Sequence, residues 1–546
     1  MELLLDILGY FSVVLHGTIV ALQAAVIGGC VFAVALALPY AVHLGDVSLV
    51  GVTYRGIALA GALLGLALLL SLSIRVSALL GTLPLDGGDV IGAGFVTALA
   101  ARAGLAAAIS CLAWRRASVA IFVVLAFLLL LATLGTSHAA GRIDDRAVLA
   151  LTTCLHILGA SIWIGGLPYF LTTLRRVEDG AALAWVGRRY SLISMAGVAI
   201  LMLGAAGLAY FYIATPDALY GTAYGLMVTG KTALFAGLLL LGLGNYRLVE
   251  RLRRDPATPI LRLRRFAEVE IGVGLAIFFT AASITSLPPA VDLTADRVTW
   301  AEVTERMTPT PPRLTSPDHA DLAIPALQAK LDAEAAAASA RPAPAFVPGG
   351  GELPPRNAFD VAWSEYNHHW AGLFVLAIGL LCLAERTGRA PWAKHWPLLF
   401  LLLAAFLFWR SDPEVWPMGE IGLLDSLRDP EVVQHRLAVI VVIAFGLFEW
   451  GVRTGRISSP RAALVLPVMV AVGGTLLLTH SHAIANVKQQ LLIEMSHLPM
   501  AILGITAGAA RWLELRLAPP ASERAGWVWP ICFVLIGAIL LGYREA

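Results

Sequence analysis

Charged residues are scarce in this sequence: they make up 14% of 546 residues, against roughly 25% in ordinary soluble domains. The shortage is uneven. Ile57 to Ile74 and Ala120 to Ser137 carry no charge at all, and about 18 consecutive apolar residues suffice to cross hydrocarbon as a helix. A chain built this way is not a soluble globular domain. Cysteine is scarce too. Cys30, Cys111, Cys154, Cys382 and Cys532 are scattered through apolar segments with no CxxC pair, which excludes a disulfide framework and a thiolate metal site and leaves small core residues. A net charge of +2 is too balanced to attract nucleic acid. No GxxxxGK[ST] loop is present, so nothing suggests ATP-driven pumping, and no catalytic constellation stands out; the chain is expected not to be an enzyme. Met1 to Asp6 carry Glu2 and Asp6 and no basic residue, which argues for a retained first helix rather than a cleaved signal peptide.

What is present is a series of apolar segments. About fourteen spans are expected, near 10–37, 57–80, 92–113, 118–137, 148–174, 190–214, 224–247, 267–287, 364–384, 396–410, 434–452, 462–480, 491–514 and 526–543. The fold class is therefore an all-α polytopic transmembrane bundle in contact with membrane lipid. Basic residues set its orientation. Arg115 and Arg116, Arg175 to Arg189, Arg247 to Arg265, Arg386 to Lys394, Arg453 to Arg461 and Arg511 to Arg524 all follow odd-numbered spans. The alternate loops are acidic or neutral, with Asp86 and Asp89, Asp217, and Asp412 to Glu431. An even span count then puts both termini outside. Residues 288–362 form a long outer segment rich in Pro and Ala, with linker character at its ends. It separates an eight-span domain (1–287) from a six-span, His-rich domain (363–546).

The twelve histidines are unevenly placed on this topology. His43 and His395 lie inside; His16, His138, His156, His319, His368, His369, His435, His480, His482 and His497 lie on or near the outer side. Imidazole binds copper, zinc and iron well, and ionisable groups inside membrane spans are costly and usually functional. In the first half, His16, His138 and His156 are expected near one outer mouth, either as metal ligands or as separate packing histidines. Met195 and Met202, seven apart on one helix face, suit Cu(I) as thioethers or fill the core. Lys231, in the seventh span, either snorkels outward or neutralises a buried carboxylate. The second half is denser. Glu365 precedes His368 and His369 by three and four residues, a shared helix face. His435 opens the eleventh span, His480 and His482 close the twelfth, and Glu494 precedes His497 by one turn. These residues read as metal or haem ligands at one level of the bundle, or as a wet polar rim.

The pieces Ser137-His-Ala-Ala140, Leu155-His-Ile-Leu-Gly-Ala-Ser-Ile-Trp-Ile-Gly-Gly-Leu167, Gly230-Lys-Thr232, Asn245-Tyr-Arg247 and Arg264-Arg-Phe-Ala-Glu-Val-Glu270 occur in this order. Together they resemble the copper-resistance protein D (CopD) family over about residues 138–292, including its "H…WxGGL" helix. The resemblance implies a multi-pass protein of the bacterial inner membrane that handles copper, commonly with a periplasmic carrier of the CopC type. It favours His156, then His16 and His138, as metal residues; the second half lies outside it. The expected function is copper binding with movement or delivery of copper at the membrane. The alternatives are an electron carrier with haem b held by outer histidines of the second half, and a non-transporting metal-assembly factor.

Overall fold

In the computed structural model the described residues are 2–82, 87–285, 287–294, 297–319, 324–339, 357–479 and 488–545. The chain is 82% helical, and among the described residues there is no strand. Twelve helices are long and apolar enough to cross a membrane. Two shorter apolar helices, Val119–Leu134 and Ala462–Leu478, accompany them. Each of the fourteen expected segments falls on one of these helices, in order. The reason is local: within each segment the backbone groups can be satisfied only by the helix itself once water is gone.

Two compact units form. One comprises Asp6–Leu219 and Met227–Asp292; the other comprises Leu293–Ala546 with Met1–Leu5 and Tyr220–Leu226.

In the first unit, small residues let backbones touch, as expected where packing rather than hydrophobic expulsion joins helices. A Cβ on Gly165 would sit 2.0 Å from the Ala24 carbonyl oxygen, and one on Gly204 would sit 2.4 Å from the backbone nitrogen of His156. The glycines of the Trp-Ile-Gly-Gly stretch are therefore contact points between helices. The same stretch, Ser161–Gly165, forms a π-helical turn between Arg146–Ala160 and Leu167–Arg176, a device that re-aims the side chains around it. The helix Gly180–Tyr212 starts at Asp179, whose carboxylate accepts the Ala182 N–H at 2.7 Å, a standard N-cap.

In the second unit the stretch before Ala358 contributes two helices. Trp300–Met307 opens on a reciprocal capping box between Thr299 and Glu302, and Ile324–Ser339 follows. Leu331 of the latter packs on Ala358 and Val361, at the start of the long helix Ala358–Arg386.

Candidate metal centre

The three histidines of the first unit have three different surroundings. His156 lies where the helices Arg146–Ala160 and Gly180–Tyr212 meet backbone to backbone. Its Nε2 lies 3.1 Å from Nζ of Lys231. A lysine ammonium has donors and no acceptor, so it donates into the imidazole lone pair. Lys231 thus neither pairs with a carboxylate nor runs to the surface; its partner is the histidine. Nδ1 of His156 is buried without a hydrogen bond of good geometry, although the Leu201 carbonyl is near. His16 makes no hydrogen bond to any described residue and lies within electrostatic reach of Arg102 and Arg75. His138 opens the short helix His138–Gly141 and sets its ring edge-on to Tyr212, with centroids 6.1 Å apart. Its Nε2 is buried without a partner. Burial holds the His138 imidazole below its usual range, Arg142 adds to this, and the Ile284 carbonyl and Asp292 oppose it. Met195 and Met202 are 48% and 49% exposed, on the outward side of their helix.

Two polar groups of this unit escaped the sequence reading. Arg102 is 2% exposed and donates to Gln23 Oε1 at 2.8 Å and to Thr136 Oγ1 at 3.0 Å. Glu270 is equally buried and accepts from Asn245 Nδ2 at 2.6 Å. A signal was present for Arg102, a lone charged residue inside an apolar span, whereas Glu270 appears only as part of a CopD-like piece beside Glu268.

In the second unit, His368 and His497 come together from the helices Ala358–Arg386 and Lys488–Arg516. Their ring centres are 6.0 Å apart at 84°. Nδ1 of His368 lies 2.8 Å from the Ser364 carbonyl, and Nδ1 of His497 lies 2.8 Å from the Ile493 carbonyl. A carbonyl can only accept, so both Nδ1 atoms carry the proton and both Nε2 atoms present a lone pair, the form in which imidazole ligates metals. Tyr543 stacks on His368 with centroids 4.0 Å apart and meets His497 edge-on at 5.8 Å. Its hydroxyl donates to Glu545 Oε2 at 2.7 Å, which also accepts from Ser364 Oγ at 2.6 Å. Glu494 is buried one turn before His497.

His369 is committed otherwise. Its Nδ1 accepts the Arg313 N–H at 2.7 Å, and its Nε2 donates to the Tyr543 carbonyl at 2.8 Å. Both ring nitrogens serve the backbone, so this imidazole ties the outer segment and the chain's last residues to the helix. Glu365 works beside it, accepting from Arg313 Nε at 3.4 Å and from the Glu545 N–H at 3.2 Å. His435 donates from Nδ1 to Asp412 Oδ1 at 2.6 Å. His480 and His482 lie outside the described residues. Among the described residues no three His, Cys, Asp or Glu side chains gather as a metal-holding group; His368 and His497 are two imidazoles that face each other.

Farther along the same unit, Arg453 pairs with Glu449 at 2.9 Å and Glu385 at 3.3 Å, and Arg511 pairs with Glu514 at 2.6 Å. Arg386 also binds Glu514. Glu385, Arg386, Arg453 and Glu514 line a cavity of about 490 Å³ together with Cys382, Glu523, Trp527 and Trp529.

Residues 184–284 match the family model for copper resistance protein D. Over these residues the chain is similar to copper resistance protein D. Its matched range contains Lys231, Asn245 and Glu270, and begins after the helix that carries His156. A stretch of 165 residues is 33% identical to the copper transport protein CutJ of Bacillus subtilis (strain 168). That stretch covers 30% of this chain and 29% of the relative, so the chain aligns with under a third of that protein's length. No solved structure matches the chain.

Proposed function

We propose that this protein binds copper at the outer face of the bacterial inner membrane and moves it across or delivers it there, acting as a carrier rather than an enzyme. The match of residues 184–284 to the CopD family carries this reading, and the partial likeness to a copper transport protein supports it. In the CopD domain's neighbourhood, His156 and Lys231 form the unit we assign to copper. Lys231 holds the Nε2 lone pair that a metal ion needs, so copper binding there displaces the ammonium; a proton is released to solvent only where the displaced lysine leaves as the neutral amine.

The His368–His497 pair is the second place we assign. With metal–nitrogen bonds of about 2 Å, two imidazoles on opposite sides of one ion have ring centres roughly 6 Å apart, close to the separation seen here. The same spacing suits axial ligands of haem b, which keeps an electron-carrier reading for the second unit alive on a specific observation. A copper carrier of the CopC type is the partner this reading favours. Both termini are assigned to the periplasmic side.

The deciding experiment is metal analysis and a visible spectrum of the purified full-length protein. Copper at about one or two equivalents without a Soret band is expected. A strong Soret band moves the second unit to the haem reading, and absence of both copper and haem after loading removes the proposal. A reporter active only in the cytoplasm, fused after Ala546, is expected to be silent; activity overturns the assigned orientation.

A further inference from the structure

Glu270 lies in the helix Leu261–Ile284 and Asn245 in the helix Ala223–Arg254. Glu270 is 2% exposed and Asn245 8%. Asn245 Nδ2 donates to Glu270 Oε1 at 2.6 Å, and this is the carboxyl's one hydrogen bond to a described residue. Among the described residues no arginine, lysine or histidine pairs with it. The charged groups around it are engaged elsewhere. On its own helix Glu268 takes Arg265, and Arg175 from the helix Leu167–Arg176, while Arg264 donates to the Leu174 carbonyl at 2.9 Å. Tyr190, on the helix Gly180–Tyr212, lies within electrostatic reach of Glu270, and its hydroxyl donates to the Trp163 carbonyl at 2.7 Å. Tyr169 donates to the Ala25 carbonyl at 3.0 Å. The turn Ser161–Gly165 has no ionisable side chain. Lys231 is about 21 Å from Asn245 along their helix and is held by His156. The first helix meets this one at Gly17 against Phe279, about 14 Å along the axis from Glu270. A carboxylate at this place would lack a counter-charge and lack water, a costly arrangement inside a membrane unit.

A second observation points the same way. Asn245 Oδ1 is buried with no donor. An ionised carboxylate only accepts, whereas a protonated carboxyl carries one O–H donor. We propose that Glu270 and Asn245 form a proton-binding site inside the first unit, in which Glu270 holds a proton at neutral pH and donates it to Asn245 Oδ1. The acid and the amide then make two reciprocal hydrogen bonds, Nδ2–H to the carboxyl oxygen and O–H to Oδ1. One proton satisfies the orphaned acceptor and removes the uncompensated charge. The carboxylate takes that proton from solvent as the chain folds, and no other reactant is consumed. A proton needs a lone pair and no cavity. The site stands on this pair of residues and is independent of the copper reading, so the two fail separately.

The test uses the purified full-length protein in detergent, with the proton as the probe. Glu270→Gln places an amide where the neutral acid would be and keeps both hydrogen bonds. The infrared difference spectrum, native minus Glu270→Gln at neutral pH, should contain the carbonyl stretch of one protonated carboxylic acid. Thermal unfolding midpoints give a second reading. A glutamate in the unfolded chain ionises near a pKa of about 4.3, so above that pH the folded protein binds one more proton than the unfolded chain, and its stability falls as pH rises. The unfolding constant should grow by about tenfold per pH unit for as long as Glu270 keeps its proton. Glu270→Gln lacks this loss, so its midpoint should gain steadily on the native one from mildly acidic to mildly alkaline pH. Absence of the acid band from the difference spectrum overturns the site, as does a midpoint gap that stays constant with pH. If Glu270→Gln fails to fold, Asn245→Ala serves: loss of the acceptor should move the acid carbonyl stretch to higher frequency, and a native protein without that band, or a band left in place by Asn245→Ala, overturns the site.

Discussion

The two units treat buried charge in opposite ways. In the first, three deep ionisable groups have neutral partners, Arg102 with Gln23 and Thr136, Lys231 with His156, and Glu270 with Asn245, and among its described buried carboxylates only Glu268 is paired with arginines, Arg175 and Arg265. In the second, deep charges are paired with opposite charges: Arg453 with Glu449 and Glu385, Arg386 and Arg511 with Glu514, and Arg313 with Glu365. A charge held by neutral dipoles still exerts its field on whatever enters, whereas a charge inside a closed ion-pair network has spent it on a neighbour.

The largest effect expected from breaking this contrast is in the second unit. Glu449→Ala leaves Arg453 buried with one of its two carboxylates gone, and removal of one member of a buried pair costs about 3–5 kcal/mol. The variant should fail to accumulate in the membrane or should unfold many degrees lower; a normal midpoint would show that the network is replaceable. His156→Ala comes next. Loss of a ligand should weaken copper binding about tenfold or more and lower copper uptake or tolerance, with unchanged protein in the membrane by immunoblot. An unchanged copper response at equal abundance returns His156 to helix packing.

A smaller effect sharpens the comparison within the second unit. His368→Ala and His497→Ala should each lower bound metal or haem sharply, and the double variant should lose little more. The coupling expected for groups of one site is about 0.5–3 kcal/mol. Additive losses would mean two unrelated imidazoles. His369→Ala, made alongside, should loosen the tether to Arg313 and Tyr543 and leave bound metal unaltered.

The smallest effect is electrostatic. Burial pushes the Asp412 carboxyl up, but hydrogen bonds from His435 and Ser411 outweigh it, and the group lies below the usual carboxylate range. Its contribution to stability is present above the unfolded pKa of about 4 and is lost as pH falls through the lower folded value. His435→Ala should therefore reduce stability by about 1 kcal/mol at neutral pH and flatten the acid limb of the midpoint-versus-pH curve. An unchanged acid limb would mean that Asp412 is held by its other partners.

Much of the architecture was legible because membrane spans are written in composition. Ala120 to Ser137 needs no tertiary information to be read as an apolar helix, and Val119–Leu134 is one. The loop arginines likewise marked where helices end. The histidines were legible as residues but not as sites. His368 and His369 are adjacent in sequence and both precede the same apolar run, yet one presents a bare Nε2 beside His497 and the other is hydrogen-bonded through both nitrogens. Adjacent residues on a helix point about 100° apart, so each meets a different neighbour. Lys231 was read as snorkelling outward or neutralising a buried carboxylate, and the structure gives it His156, 75 residues earlier in the chain, instead.

Sequence alone determined that this chain is an all-α membrane protein, because the cost of an unsatisfied backbone in hydrocarbon leaves a long apolar run no other form. It also showed a resemblance to the CopD family, since the CopD-like pieces keep their order along the chain, and residues 184–284 match that family's model. Only the tertiary structure decided which polar groups face one another: Arg102 against Gln23, Lys231 against His156, and His368 against His497. Each of these pairs joins helices far apart in sequence. Helix packing, through close contacts such as that of Gly204 with the His156 backbone, sets the few ångströms on which a hydrogen bond or a ligand bond depends.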